Sequence, residues 1–574
     1  MTNTNARMFL WLGLVLALWI NYETWQLDYG SPPPPATPRS AERPPIEGGG
    51  LAGSIPQAKP PSAAAPAPAA PPEAAGAALG TAPALQPAAP ATAAPPLLRV
   101  RTDVLDLEVS LRGGDLVRAE LRQYPLVKGE ADRVFLLNAA NEDFYFLQTG
   151  LTDIDGSAHP THLATFTAPQ SQFSLSERAD ELRVPLSWVD AERGITVTKT
   201  YVLQRGSYRI GLEYTIENAG TSPWRAASYA QILRDDKPVE HSMFSVEGYA
   251  FQGPAYYNGT KYFKIDRNNV ADSELPREVT GGWIAGMQHH FVTAVVPTEG
   301  RSYAYAIRTQ GNQYLLSTTG PAVSVAPASG ATLKETLYIG PKLQAQLKTT
   351  GPRLDLVTDY GILKLLAEPL FWLLESAYNV VGNWGWSILI VTFLLKLAFY
   401  PLSESSGRSM AKMRLLTPRI KNLQDTYKDD REKLGRAMMD LYKREKVNPA
   451  AGCLPILIQM PVFFAFYWVL LESVEMRQAP FIFWIQDLSS RDPFFVLPVI
   501  MAGAMYVQYK LNPAPPDPVQ AKVFMILPFV MSITFAFFPA GLVLYWVANT
   551  LLTVLQQWNI NRRIEAEAKK AKAS

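Results

Sequence analysis

The alternation of apolar and polar positions changes character several times along the chain, and each change marks a different kind of element. Met8 to Ile20 is a continuous apolar run behind Arg7. The following Asn21-Tyr22-Glu23-Thr24-Trp25 lacks the small residues that signal-peptide cleavage requires. Extended through Trp25 the run makes a helix of about 18 residues, near the lower limit of a span. It predicts an uncleaved signal-anchor span over 1–25. Residues 31–96 are rich in Pro and Ala and nearly free of aromatic side chains. Such a stretch buries too little apolar surface to offset the entropy of ordering, so a flexible linker is expected there.

From Leu97 the period becomes two. Val104 to Leu111, Ile195 to Val202, Tyr208 to Ile216 and Phe291 to Val296 read as strands. Gly113-Gly114, Asn218-Ala219-Gly220 and Gly281-Gly282 supply turns between such runs. Many short strands at this spacing predict a large β-sandwich domain over 97–346. At 359–382 the period changes to that of a helix. Lys364, Glu368, Glu375 and Asn379 fall in one narrow stripe on an otherwise apolar helix. That pattern suits a helix lying in the membrane interface; packing onto the β-domain is the other reading it allows.

Long apolar blocks then occupy 386–402, 452–473, 494–511, 523–538 and 541–558, each read as a span, with only Pro539-Ala540 between the last two. The polar block 403–451 repeats Met410, Met413, Leu416, Ile420 and Leu423, then Leu434, Met438 and Leu441, at helical spacing on either side of Lys428-Asp429-Asp430. It predicts a helical hairpin of coiled-coil type. Met410, Met413, Met438 and Met439 either fill its seam or form an adaptable surface for apolar partners.

The net charge of +2 hides a segregation. Arg and Lys crowd into 403–451, into the tail 559–574 with Arg562 and Arg563, and beside the short loop with Lys510 and Lys522. Basic flanks mark the cytoplasmic side. The fold class expected is therefore a polytopic α-helical membrane protein of six spans, both termini inside, with a large β-sandwich domain outside. A single cysteine, Cys453, excludes a disulfide framework, and the five histidines form no HExxH pattern. Nucleotide-binding and serine-hydrolase fingerprints are likewise missing. The chain is read as a non-enzyme with no cofactor and no metal.

Lys396 stands out inside the apolar run Ile388 to Tyr400. A cation at such a position costs on the order of 3 kcal/mol. Lysine close to a span end can snorkel towards headgroups. However, Thr392 lies one turn away, Gln459, Thr534, Asn549 and Gln556 add neutral polar groups in other spans, and no acidic residue is available at that depth. Together these favour a hydrated cavity. Pro455, Pro461, Pro498 and Pro528 interrupt the spans, as befits an irregular bundle.

Asn383-Trp384-Gly385-Trp386-Ser387, Tyr400-Pro401-Leu402, Ser409 to Arg414, Lys446-Val447-Asn448-Pro449, Gly452-Cys453-Leu454-Pro455, Gln459-Met460-Pro461, Arg477 to Phe481 and Phe538 to Trp546 resemble the YidC family of membrane-protein insertases in order and spacing. The resemblance is dense from about Tyr360 to Arg563, and the anchor, the linker and the β-domain more loosely resemble the Gram-negative, inner-membrane form. It implies five spans around a water-filled groove closed towards the periplasm, and a periplasmic β-supersandwich. It also implies insertion and folding of nascent membrane proteins, alone or with the Sec translocon, by a protein that meets translating ribosomes and the lipid bilayer. No specific DNA and no small-molecule substrate are implied. The groove cation of the family is usually arginine at the position matching Lys396; lysine keeps the charge and loses the planar fork. Thr392, Tyr545 and Trp546 match the family's substrate-contacting positions.

Two other readings stay open at this level. A secondary transporter would share the intramembrane lysine and kinked spans, although no internal repeat is evident. A carbohydrate-directed role of the β-domain would rest on Asp235, Asp236, Glu240, His241, His289 and His290.

Overall fold

The structure is a computed structural model, and it describes residues 50–57, 96–139, 144–153, 159–235, 250–266, 275–427, 430–445, 454–512 and 518–573. The segment expected as a signal anchor and most of the linker lie outside the described residues. So do Asp236, Glu240 and His241. The chain divides into two compact units, Pro44–Asp359 and Tyr360–Ser574 with Met1–Arg43.

The first unit is a pair of antiparallel-rich sheets, one of 11 strands and one of 8. Strand Arg209–Asn218 shows why these sequences become strands. Ile210, Leu212, Tyr214 and Ile216 are all buried on one face, while Arg209, Thr215 and Glu217 are exposed on the other. The smaller sheet is centred on Ser329–Pro341, which pairs with Arg209–Asn218 on one side and Phe291–Pro297 on the other. The larger sheet is centred on Trp224–Asp235, flanked by Tyr145–Thr152 and Gln313–Thr319. Large aromatics fill the interior, among them Tyr201, Tyr208, Tyr214 and Trp283. Gly340 is one place where a side chain does not fit, since a Cβ there would stand 2.5 Å from the Tyr208 ring.

One charged group is enclosed with them. Lys199 is fully buried, donates to the carbonyls of Gly113 at 2.8 Å and Thr149 at 3.0 Å, and lies 3.9 Å from Asp115. Burial pulls this lysine down to about 8 and pushes Asp115 up to about 7, with each partly restoring the charge of the other. Within the stretch read as a flexible linker, Gly50–Gly53 forms a 3₁₀ turn whose Leu51 is buried against the larger sheet.

The second unit is helical. Helix Lys364–Val381 buries Ala367, Leu370, Phe371 and Leu374 and leaves Leu365, Trp372 and Val380 exposed. Helix Trp384–Ala398 begins at Asn383, whose Oδ1 accepts from the Trp386 amide at 3.1 Å. Asn383 also donates to the carbonyls of Pro480 and Phe481, and Gly385 lies so close that a Cβ would meet the Phe481 ring at 2.1 Å. These contacts tie two separated sequence motifs into one joint.

At Phe399 the chain bends by 66° into Tyr400–Thr426. Pro401 lacks the amide needed to continue the first ladder, so the break follows from its sequence. Asp430 caps the second helix of the hairpin, Arg431–Arg444, by accepting from the Lys433 amide. Arg419 of the first hairpin helix reaches Glu445 beyond the second at 2.6 Å.

Helices Leu454–Glu472, Val496–Leu511, Pro518–Phe535 and Ala540–Ala573 complete the unit. Between the first two, buried Asp492 accepts from Trp484 Nε1 and from the amides of Phe494 and Leu497. The Pro539-Ala540-Gly541 turn is pinned on this loop, with Ala540 donating to Ser490 O and Gly541 to Leu488 O. Among the described residues no single helix is long and apolar enough to cross a membrane, but Trp384–Ala398 with Tyr400–Met413 passes as a bent pair. The last helix runs without a break from the apolar block through Arg562 and Arg563 to Ala573.

Candidate functional site

An open cavity, whose empty space of about 430 Å³ includes the solvent at its mouth, lies between helices Trp384–Ala398, Tyr400–Thr426, Leu454–Glu472 and Ala540–Ala573. Its polar lining comes from Thr392, Lys396, Ser403, Gln459, Tyr545 and Asn549. Thr392 and Lys396 share a face because they are four residues apart on one helix. Thr392 is buried, and its hydroxyl donates to Ile388 O at 2.6 Å. Its donor is thus spent on its own helix, which leaves the lone pairs and the methyl group for the cavity.

Lys396 is half-buried and donates to Thr553 Oγ1 at 2.8 Å. Thr553 passes its own proton to Asn549 O at 2.7 Å, and Asn549 Oδ1 accepts from Gln459 Nε2 at 2.6 Å. Lysine, threonine, asparagine and glutamine thereby form one connected polar path across three helices. Among the described residues no carboxylate lines the cavity. An ammonium has three N–H donors, and Thr553 satisfies one of them.

Tyr545 joins this lining to an aromatic cluster. Tyr545 is buried and stacks on Phe466 with ring centroids 4.5 Å apart. Trp546 sets its edge against Phe463 at 4.6 Å and tilts over Phe535 at 5.2 Å. It lies beside the cavity rather than in its lining. Thr534 is placed elsewhere: it is exposed, and its hydroxyl is turned to Val530 O. Gln556 has a buried Nε2 without a hydrogen-bond partner among the described residues. In the hairpin Met410, Met413 and Met438 are half-buried, while Met439 is 53% exposed.

Thr553 is the polar contact that the reading of the sequence passes over. The signal for it is a repeat of four: Tyr545, Asn549, Thr553 and Gln557 fall on one face of the last helix. In the other unit Asp235 accepts from Gln313 Nε2 at 2.8 Å, and His289 and His290 stack on each other at 3.8 Å. Among the described residues no group of three metal-binding side chains stands together.

Comparison with known proteins gives this geometry its context. Residues 97–373 match the family described as the YidC periplasmic domain, and 376–568 match the 60Kd inner membrane protein family. The membrane protein insertase YidC of Thioalkalivibrio sulfidiphilus is 45% identical over 576 residues, covering 99% of this chain and 100% of that protein. The chain belongs to the YidC family. The YidC of Nitrosococcus oceani is 43% identical over 571 residues, covering 98% of this chain and 99% of its own. A crystal structure of an active YidC insertase with its first transmembrane domain resolved covers 81% of this chain and 92% of that one, at 19% identity and a TM-score of 0.39. YidC proteins are inner-membrane insertases with a periplasmic domain, and their substrates are nascent membrane proteins. They are insertases rather than enzymes.

Proposed function

We propose that the cavity around Lys396 is a hydrated, positively charged groove that takes up the outer tails of client membrane proteins. One observation carries this reading: a half-buried cation borders an open cavity in which its partners are neutral. Two ammonium hydrogens remain for water or for a client carboxylate. Water in the groove lowers the cost of bringing polar groups partway across. Once the tail is held, the apolar segment of the client slides along Thr392, Tyr545 and Trp546 into lipid. Burial of its side chains, about 25 cal/mol per Å², drives that exit.

In this reading the apolar helices and the anchor over 1–25 make six spans, with both termini in the cytoplasm. The outward surface of helix Pro518–Phe535 suits lipid, with Val523, Ile526, Val530 and Ile533 each more than half exposed. The hairpin at 403–451 receives emerging segments, with Met439 as its exposed apolar contact. The basic stretch at Arg562 and Arg563 approaches ribosomal RNA or anionic lipid. The protein works alone or beside the Sec translocon and also assists folding of its clients.

Reconstitution into liposomes tests the groove. A short labelled client with an acidic outer tail is presented, and its protection from added protease is read. The Lys396→Ala variant is expected to lose roughly ten- to a hundredfold in protected client, in line with about 1.5–3 kcal/mol for a charge-assisted hydrogen bond. Equal protection by both proteins removes the charge from the mechanism.

A further inference from the structure

The larger sheet of the β-unit carries a second site, on the face opposite the sandwich interior. In strand Tyr145–Thr152 the hydroxyl of Thr149 lies 3.4 Å from that of Tyr201 in the other sheet. Residues alternate in direction along a strand, so Phe146, Gln148 and Thr152 face away from that interior. Register extends the face sideways. Phe146 pairs with Leu233, and Leu233 with Leu315, which makes an apolar row across three strands. Two residues along, Gln148, Gln231 and Ser317 make a polar row.

Residues 50–57 lie on this face. Leu51 is buried on the apolar row, in contact with a cluster of Phe144, Phe146, Leu233 and Leu315. The Ala52 carbonyl accepts from Gln148 Nε2 and pairs with His162 Nε2, both at 3.0 Å. The Pro56 carbonyl accepts from Thr152 Oγ1 at 2.9 Å. His162 Nδ1 lies 2.7 Å from the Tyr229 hydroxyl. A neutral ring that accepts there and donates through Nε2 satisfies both contacts, and burial holds this histidine down at about 4. Gln148, His162 and Thr152 are each at least nine-tenths buried. The Oε1 atoms of Gln148 and Gln231 are also buried and have no partner among the described residues.

These side chains read main-chain carbonyls, and only one pocket reads a side chain. That is the arrangement of a site for a short peptide held through its backbone, here a 3₁₀ turn at Gly50–Gly53 followed by residues 54–57. Small residues are needed where the peptide lies close: Gly50 has φ +72°, and a Cβ there would stand 3.1 Å from Gln310 Oε1. We propose that this face is a peptide-binding site, filled in cis by residues 50–57. Its ligand class is a segment with one leucine-sized side chain, small residues beside it, and two carbonyls four residues apart. The unpartnered Gln148 and Gln231 oxygens add acceptors for amide hydrogens of a longer peptide.

The test uses the full chain in detergent micelles and a fluorescein-labelled peptide with the sequence of residues 48–59. Leu51→Arg puts a charge where the apolar row requires a leucine and so vacates the site. The labelled peptide is expected to bind this variant saturably, and the wild type at least tenfold more weakly, because the chain's own segment competes. Adding Thr152→Val to Leu51→Arg removes the donor to the Pro56 carbonyl and weakens the peptide several-fold. A chain with 50–57 replaced by Gly-Ser repeats is measured alongside, in case Leu51→Arg disturbs folding. Absence of saturable binding to both vacated chains, with native circular dichroism, overturns the proposal, as does equal binding to the wild type.

Discussion

Lys199 and Lys396 are both drawn away from water, one in each unit, and the difference lies in what surrounds their ammonium groups. Lys199 meets two carbonyls and the Asp115 carboxylate, with the Phe166, Tyr201 and Tyr214 rings 5.5–5.9 Å away. Two of its donors reach carbonyls inside a closed core, and its charge is answered there by the Asp115 carboxylate at 3.9 Å. Among the described residues Lys396 meets one threonine and an open cavity without a carboxylate. The first lysine is a structural element, since removing either partner strands the other in a low-dielectric interior. The second keeps donors free for something that arrives. A buried charge is therefore informative through its unused hydrogen-bonding capacity more than through its depth.

The largest expected effect breaks the β-unit side of this comparison. Lys199→Met leaves Asp115 without its cation and should cost about 3–5 kcal/mol of folding stability, read by urea denaturation. Asp115→Asn combined with it should recover much of that loss. Lys396→Met, by contrast, should leave the urea midpoint nearly unchanged while insertion falls. A large loss of stability in Lys396→Met would make the two lysines alike.

Smaller effects sharpen the contrast. Thr553→Val removes the acceptor that Lys396 has among the described residues and should lower insertion of acidic-tailed clients several-fold, as a single hydrogen bond of about 1 kcal/mol implies. The smallest expected effect is a slope. Burial pushes Glu335 up to about 7, so the folded protein holds this proton more tightly than the unfolded chain. The resulting stabilisation is complete below the ordinary glutamate range and is lost as pH rises through about 7. Glu335→Gln should therefore flatten the fall in thermal midpoint between pH 5 and pH 8 relative to the wild type. An unchanged slope would remove Glu335 as a source of the pH dependence.

Legibility in the sequence follows the range of the interactions. Period-two runs such as Tyr208 to Ile216 identify strands because one face is buried all along them. Lys396 is conspicuous because a cation in an apolar run is expensive. Neighbours across helices are harder to read. Gln459 and Asn549 do meet, but Thr534 has the same polarity and is turned outwards to its own backbone. Composition cannot separate such cases; only packing does. Leu51 was hidden for a similar reason, since a stretch averaged as Pro and Ala conceals one leucine that has a pocket. Thr553 was within reach, through its place in the four-residue repeat of the last helix.

The most direct test of the central claim is a charge exchange in reconstituted liposomes. Lys396→Glu is paired with a client whose outer tail carries lysines in place of its acidic residues, and protease protection is measured for all four combinations. If the groove acts through its charge, Lys396→Glu rejects the acidic tail and regains insertion with the basic one. If the variant handles both tails as the wild type does, or loses both equally, the charge of Lys396 does not select the client and the account of the groove is wrong.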